Sequence, residues 1–206
     1  RHEQELMTKD ATIREIHHRV KNNLQTVSAL LRLQSRRSSE EAVKVALAEA
    51  ERRVQAIATV HAALSQNVDE SVDFDEVART IVRMAGAIAS TDHAVEVITT
   101  GSFGTIQADQ AQALATVLNE LVANSVEHGL ADRDGLIEVR AEREGTSMTV
   151  TVADDGVGFV PGTPMSGLGT QIVHQMVRGE LKGSIEWAPR EGGGTLVTLH
   201  ANLDPA

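Results

Sequence analysis

A chain of 206 residues with a formal net charge of −10 lacks the basic surface that phosphate backbones attract, so no direct nucleic-acid partner is expected. Hydrophobic residues make up 41% of it, enough for a core, but aromatics only 2%, so Val, Ile, Leu, Ala and Met must build that core. The absence of cysteine excludes a disulfide framework, a thiolate zinc site and a cysteine nucleophile and fits a cytoplasmic protein, and no apolar run approaches the ~20 residues that span a bilayer.

In chain order, the first pattern is helical and already running at residue 1, which predicts that the helix continues upstream. Ile13, Ile16, Val20, Leu24, Val27 and Leu31 draw one apolar stripe. On a second helix Val43, Leu47, Ala50, Val54, Ile57, His61 and Leu64 alternate steps of four and three, the spacing of a heptad seam. Ser38 and Glu41 have the S-x-x-E spacing of a capping box, which predicts a turn near residues 36–39. The product is an antiparallel helical hairpin. A lone hairpin leaves part of both seams in water, so two copies are expected to pair through residues 1–66 into a dimeric four-helix bundle.

Adjacent residues on a helix lie about 100° apart, so His17 and His18 cannot share a face. His18 points about 200° away from Val20, into solvent, whereas His17 lies only about 60° from it and flanks the packed side. Arg14, Glu15, Lys21 and Asn22 stand three or four residues from His18 and share its outward face. A neutral imidazole can attack a phosphoryl group in line while nearby cations stabilise the charge on its oxygens, so His18 is a candidate nucleophile. Glu15 is the candidate to hold the ring in its reactive tautomer by accepting the other ring proton. The competing reading of His18 is a solvated surface residue, and His61, on the second seam, reads as a packed histidine.

Beyond residue 70 the periodicity changes, which divides the chain into residues 1–69 and 70–206. Asp73 with Glu76, and Asp109 with Gln112, have capping spacing and open two helices; the first turns Phe74, Val77, Ile81 and Ile88 to a core, and the second runs to about Leu130. AVEVITT and GTIQA between them read as short strands. Ile137, Val139 and Ala141 alternate with Glu138, Arg140 and Glu142, and SMTVTV alternates again after a turn at 145–146, an antiparallel hairpin with one apolar face. Leu168, Ile172, Met176 and Val177 mark a further helix, followed by the strands GSIEWA and TLVTLH. Helices on one face of a mixed sheet make an α+β two-layer sandwich.

Four signatures in this second part point to a nucleotide. Glu120, Asn124 and His128 recur every four residues on one helix face, where Asn124 offers Mg²⁺ a neutral oxygen and His128 can donate to a phosphate; a plain solvated face has the same composition. In DDGVGF, at a strand end, Asp154 can accept from an exocyclic amine while Gly156 and Gly158 let the backbone approach a flat base. Gly167, Leu168 and Gly169 open a helix whose N–H groups attract phosphate. Gly192, Gly193, Gly194 and Thr195 enter the last strand, where the threonine hydroxyl can bond a base. Each glycine cluster alone reads as a tight turn; the fixed order of all four is the informative feature.

NELVANSVEH, DDGVGF, SGLGTQIV and GGGT resemble the N, G1, G2 and G3 boxes of the ATP-binding domain shared by histidine kinases, gyrase, Hsp90 and MutL, over residues 72–200. EIHHRVKNNLQTVSALLRLQSRR resembles the phosphoacceptor helix of the HisKA_2 sensor histidine kinases, close to the HWE group. The resemblance implies a dimerisation and histidine-phosphotransfer hairpin followed by a catalytic domain of the histidine-kinase/Hsp90 ATPase type. It places the phosphoacceptor at His18, the magnesium-binding asparagine at Asn124, the N-box acid at Glu120 and the adenine-binding aspartate at Asp154. Gly156, Gly158, Gly167 and Gly169 become the edges of the ATP lid, and Thr195 the adenine-side threonine. Two departures stand out: Arg19 follows His18 where commoner histidine kinases carry an acid, and residues 159–166 leave room only for a short lid with no F box.

The function expected on this resemblance is a two-component sensor histidine kinase core, taking the γ-phosphoryl of ATP with Mg²⁺ onto His18 and passing it to an aspartate of a response-regulator receiver domain. Its sensor domain would lie upstream, outside this chain. Two alternatives have their own signatures: an ATP-binding pseudokinase or docking module that transfers nothing, and a gyrase-type ATPase in which Glu120 activates water.

Overall fold

The structure, a computed structural model, describes residues 2–67, 69–88, 93–162 and 167–205. Helices α1 (His2–Arg37) and α2 (Glu41–Leu64) form the expected antiparallel pair. Their contact face on α1 runs through the half-buried Ile13, His17, Val20, Leu24 and Leu31, with Ser28 fully enclosed opposite Gln55. Two residues of the expected stripe fall outside this face. Ile16 and Val27 are 53% and 43% exposed and line an adjacent apolar edge with Leu30, because one partner helix covers a narrower arc than a full heptad seam presents. The capping box also fails to form. Ser38 accepts from the Glu40 N–H at 3.2 Å, two residues on, so Glu40 is the N-cap of α2 and its side chain makes no cap bond.

After α2 the chain forms β1 (Ser71–Asp73), α3 (Phe74–Ile88), β2 (Val95–Gly101), β3 (Thr105–Gln107), α4 (Ala108–Asn124), β4 (Gly135–Glu144), β5 (Ser147–Asp154), α5 (Leu168–Arg178), β6 (Ser184–Pro189) and β7 (Thr195–Asn202). The strand β1 is an addition to the expected set, since three residues are too few to display a period; it pairs antiparallel with β3. The main sheet has the order β2-β4-β5-β7-β6, parallel only between β2 and β4, whose crossover contains α4. Asp73 caps α3 by accepting the Asp75 N–H, whereas Asp109 sits inside α4 behind the N-cap Gln107 and makes no cap bond. The side chain of Ile88 lies outside the described residues.

One face of the sheet supplies Ile137, Val139, Val150, Val152, Val197 and Leu199 to a core completed by α3, α4 and α5. Aliphatic strand faces laid against three helices are the expected α+β two-layer sandwich. Helix α4 lies between α3 and α5 and also meets α2, so all its residues from Gln110 to Ala123 except Gln112 are buried. Val60 and Leu64 of α2 belong to the same core. The hairpin is thus packed onto the sandwich through the second half of α2, and the seam between them is where the cavity lies. Among the described residues no helix is long and apolar enough to cross a membrane.

Candidate functional site

A cavity of about 420 Å³ opens between α2 and the elements α4, α5, β5, β6 and β7. Asp154, the last residue of β5, lines it and is only 3% exposed. Its Oδ1 accepts the N–H groups of Gly156 at 3.0 Å and Thr195 at 3.3 Å, which orients the carboxylate and brings the start of β7 beside it. Among the described residues no hydrogen bond engages Oδ2, so that oxygen remains as an acceptor for a ligand amine. A glycine is compulsory at 156: a Cβ there would collide with the Gly129 carbonyl oxygen. Gly158 continues the turn at φ +71°, in the left-handed region. Gly194 backs onto the Asp154 carbonyl, and Trp187 of β6 adds a flat apolar wall.

Glu120, Asn124 and His128 all line this cavity, but not as one regular helix face. The α-helix ends at Asn124, and Ser125–Gly129 is a π-helical turn instead of the expected continuation to Leu130. One wider turn rotates the residues beyond it, a device that recurs at functional sites. Asn124 is half-buried and, among the described residues, held by no side-chain hydrogen bond, so its amide oxygen is free for a hard cation. Among the described residues no three His, Asp or Glu side chains are grouped so that they could hold a metal ion by themselves. The wall therefore fits a metal ion that arrives with waters and phosphates of its own, not one caged by protein.

Glu120 is 2% exposed and both its oxygens are taken by Arg53 of α2, at 2.5 and 3.2 Å. The hydrogen bond to Glu120 raises the Arg53 pKa above its ordinary value, outweighing the opposing effect of burial. Arg52, beside it, pairs with Glu127 of the π turn at 3.3 Å. Sequence reasoning missed both arginines; their signal was a pair of cations on the flank of an apolar seam, which has no motif of its own. Gly167 precedes α5 and Leu168 and Gly169 open it, so the helix N-terminus faces the cavity. A Cβ on Gly169 would stand 2.6 Å from Glu120 Oε2. Residues 163–166, the middle of the expected short lid, lie outside the described residues.

On α1 His18 is exposed and His17 half-buried, as the wheel requires. His17 stands 3.0 Å from His61, Nδ1 to Nδ1, so one ring donates and the other accepts. Burial, and secondarily the neighbouring His17, push the His61 pKa below its ordinary value. Glu15, expected to hold the His18 ring, is instead bound by Arg19 at 2.7 and 3.1 Å, because a full cation one turn away outcompetes a neutral imidazole. The side chain at 3.3 Å from His18 Nδ1 is Asn22. As placed, the Asn22 Nδ2–H donates to Nδ1; a half-turn of the amide presents its oxygen to the same nitrogen, which holds the ring proton on Nδ1 and leaves the Nε2 lone pair to solvent. No α1 residue lines the cavity.

A family model of histidine kinases matches residues 15–88, and one described as histidine kinase-, DNA gyrase B-, and HSP90-like ATPase matches residues 109–205. The sensor histidine kinase PdtaS of Mycolicibacterium smegmatis is 46% identical over 208 residues, 98% of this chain and 42% of that protein. Blue-light-activated histidine kinase 2 of Erythrobacter litoralis is 28% identical over 206 residues, 94% of this chain and 58% of the relative. In fold, the histidine kinase domain of the E. litoralis EL346 blue-light activated kinase aligns at a TM-score of 0.68 and 23% identity, covering 97% of this chain and 94% of the other. The chain thus spans less than half the length of the PdtaS relatives.

Proposed function

The chain belongs to the histidine kinases, and from that membership we propose that it is an autokinase core: Mg²⁺-ATP binds in the cavity, and its γ-phosphoryl passes to His18 and then to an aspartate of a response-regulator receiver domain. What carries this reading is a buried carboxylate, Asp154, opening on a cavity that is walled by α2, the helix packed against the one that presents an exposed His18. Asp154 Oδ2 accepts the base amine, Thr195 lies on the same side, and Asn124 gives the metal one oxygen. The metal, when bound, neutralises charge developing on the phosphate oxygens. Nε2 of His18 forms the new N–P bond as the P–O bond to the departing diphosphate breaks, with the ring proton on Nδ1, where Asn22 accepts it once its amide has turned its oxygen to that nitrogen. Since α1 does not reach the cavity, transfer requires the sandwich to move relative to its own hairpin, or to meet His18 of a second copy.

The division into residues 1–69 for dimerisation and phosphotransfer and 70–206 for nucleotide binding fits the end of α2 at Leu64 and the start of β1 at Ser71. Homodimerisation is supported by the apolar edge of Ile16, Val27 and Leu30 left uncovered in one hairpin. Against the hydrolase alternative stands the hairpin itself: residues 15–88 match a histidine kinase family model and include the exposed His18.

Incubation with γ-labelled ATP tests the reading. Wild type and His17→Gln should take up acid-labile label, and His18→Gln should take up none; undiminished label on His18→Gln refutes the assignment. Nucleotide binding with no label on any variant identifies the docking module instead.

A further inference from the structure

The nucleotide pocket has a deficit of positive charge that its own domain cannot fill. From Asn119 to Gly129 and from Asp154 to Gln171, the stretches that hold the N, G1 and G2 signatures, there is no lysine or arginine. The cavity wall carries Glu120, Glu127 and Asp154 from the sandwich and Glu49 from α2, and among the described residues the sandwich offers only His128 beside them. A metal-bound triphosphate still bears net negative charge, so entry against four carboxylates is unfavourable unless cations come from elsewhere.

They come from α2. Arg52 and Arg53 line the cavity, and each is held on one of the offending carboxylates, Arg52 on Glu127 and Arg53 on Glu120. Arg52 is 5% exposed, and among the described residues its Nε–H has no acceptor. A guanidinium donor left unpartnered at that depth is costly in the absence of an additional oxygen, and it marks a place where a ligand acceptor belongs. Arg53 presents a planar fork whose geometry matches a phosphate as well as it matches the carboxylate it now holds.

We propose that Arg52 and Arg53 of the helical hairpin are the phosphate-binding cations of the nucleotide site, turning from Glu127 and Glu120 to the terminal phosphates when the nucleotide enters. This rests on the nucleotide reading above and adds to it that the site is incomplete without the phosphotransfer hairpin. Binding of a triphosphate then draws on the same helix pair that carries His18, which ties occupancy of the pocket to the position of the hairpin.

The test compares Mg²⁺-dependent binding of AMP and of a non-hydrolysable ATP analogue to the whole chain by calorimetry. Arg53→Gln/Glu120→Gln and Arg52→Gln/Glu127→Gln replace each ion pair by neutral amides, so neither leaves a lone buried charge and folding is checked by circular dichroism. Expected is a fall of about tenfold or more in the ratio of analogue to AMP affinity in each double variant, with AMP affinity within about twofold of wild type. An unchanged ratio in folded variants overturns the proposal, and so does an equal loss for both ligands, which is the signature of arginines that merely hold the hairpin on the sandwich. If wild type binds neither nucleotide, the functional reading itself falls and this inference with it.

Discussion

Replacing Arg53 by methionine removes one half of an ion pair whose two sides are unequally exposed, and the inequality yields a ranked prediction. Glu120 is 2% exposed and Arg53 17%, and the geometry is bidentate. Arg53→Met strands a carboxylate that water cannot reach, which costs about 3–5 kcal/mol for a buried pair. Glu120→Gln strands the better solvated partner, which still has Glu49 at 3.8 Å, so the cost is about 1–2 kcal/mol. The double variant Arg53→Met/Glu120→Gln loses both charges together and should lie within about 1 kcal/mol of wild type. The resulting coupling energy is about 3–7 kcal/mol. Urea unfolding followed through the single tryptophan, Trp187, supplies the four free energies of this cycle. A coupling below about 0.5 kcal/mol, or a larger loss for Glu120→Gln than for Arg53→Met, would refute the reading of Arg53 and Glu120 as a buried pair whose charges compensate each other.

Other sites give three further outcomes. Asp154→Asn keeps an oxygen for the Gly156 and Thr195 N–H groups but turns a strong charged acceptor into a neutral one, so nucleotide affinity, read from Trp187 fluorescence, should fall about tenfold or more while the fold persists. Gly156→Ala places a methyl group on the Gly129 carbonyl, and both thermal stability and nucleotide binding should drop; a well-folded, tightly binding Gly156→Ala would show that the G1 turn has room to shift. His61, its pKa depressed in the folded state chiefly by burial, favours the neutral ring there. The unfolded chain therefore binds more protons near pH 6, and stability should be complete above the ordinary histidine pKa of about 6.5 and decline as pH falls below it. Melting temperatures at pH 5.5 and 7.5 should converge in His61→Leu relative to wild type, and an identical pH response in both would exclude the His17–His61 contact as its source.

Patterns of local period were sufficient for most of the architecture. The heptad steps from Leu47 to Leu64, the alternation in β4 and β5 and the glycine spacings around Asp154 each reflect constraints within a few residues, and such constraints are written directly in the chain; Val43, the first residue of the expected seam, is exposed. The same is true of His18: helical rotation alone turns it outward and its neighbour inward. The short strand β1 was invisible because its pairing with β3 reaches across more than thirty residues, and the π turn because nothing in SVEHG departs from ordinary helix composition.

What only the tertiary structure decided lies at the seam of the two parts. Arg52 and Arg53 look like solvated flank residues until α4 is laid against α2, and Glu120 looks like a free acid until Arg53 takes both its oxygens. Glu15 was a candidate partner for His18 by spacing, yet Arg19 has an equal claim by spacing and a full charge besides. Sequence determined which side chains each element presents; packing decided which of them meet. Ion pairing depends on distance through space, and residues as far apart as 53 and 120 acquire that distance only when the chain is folded.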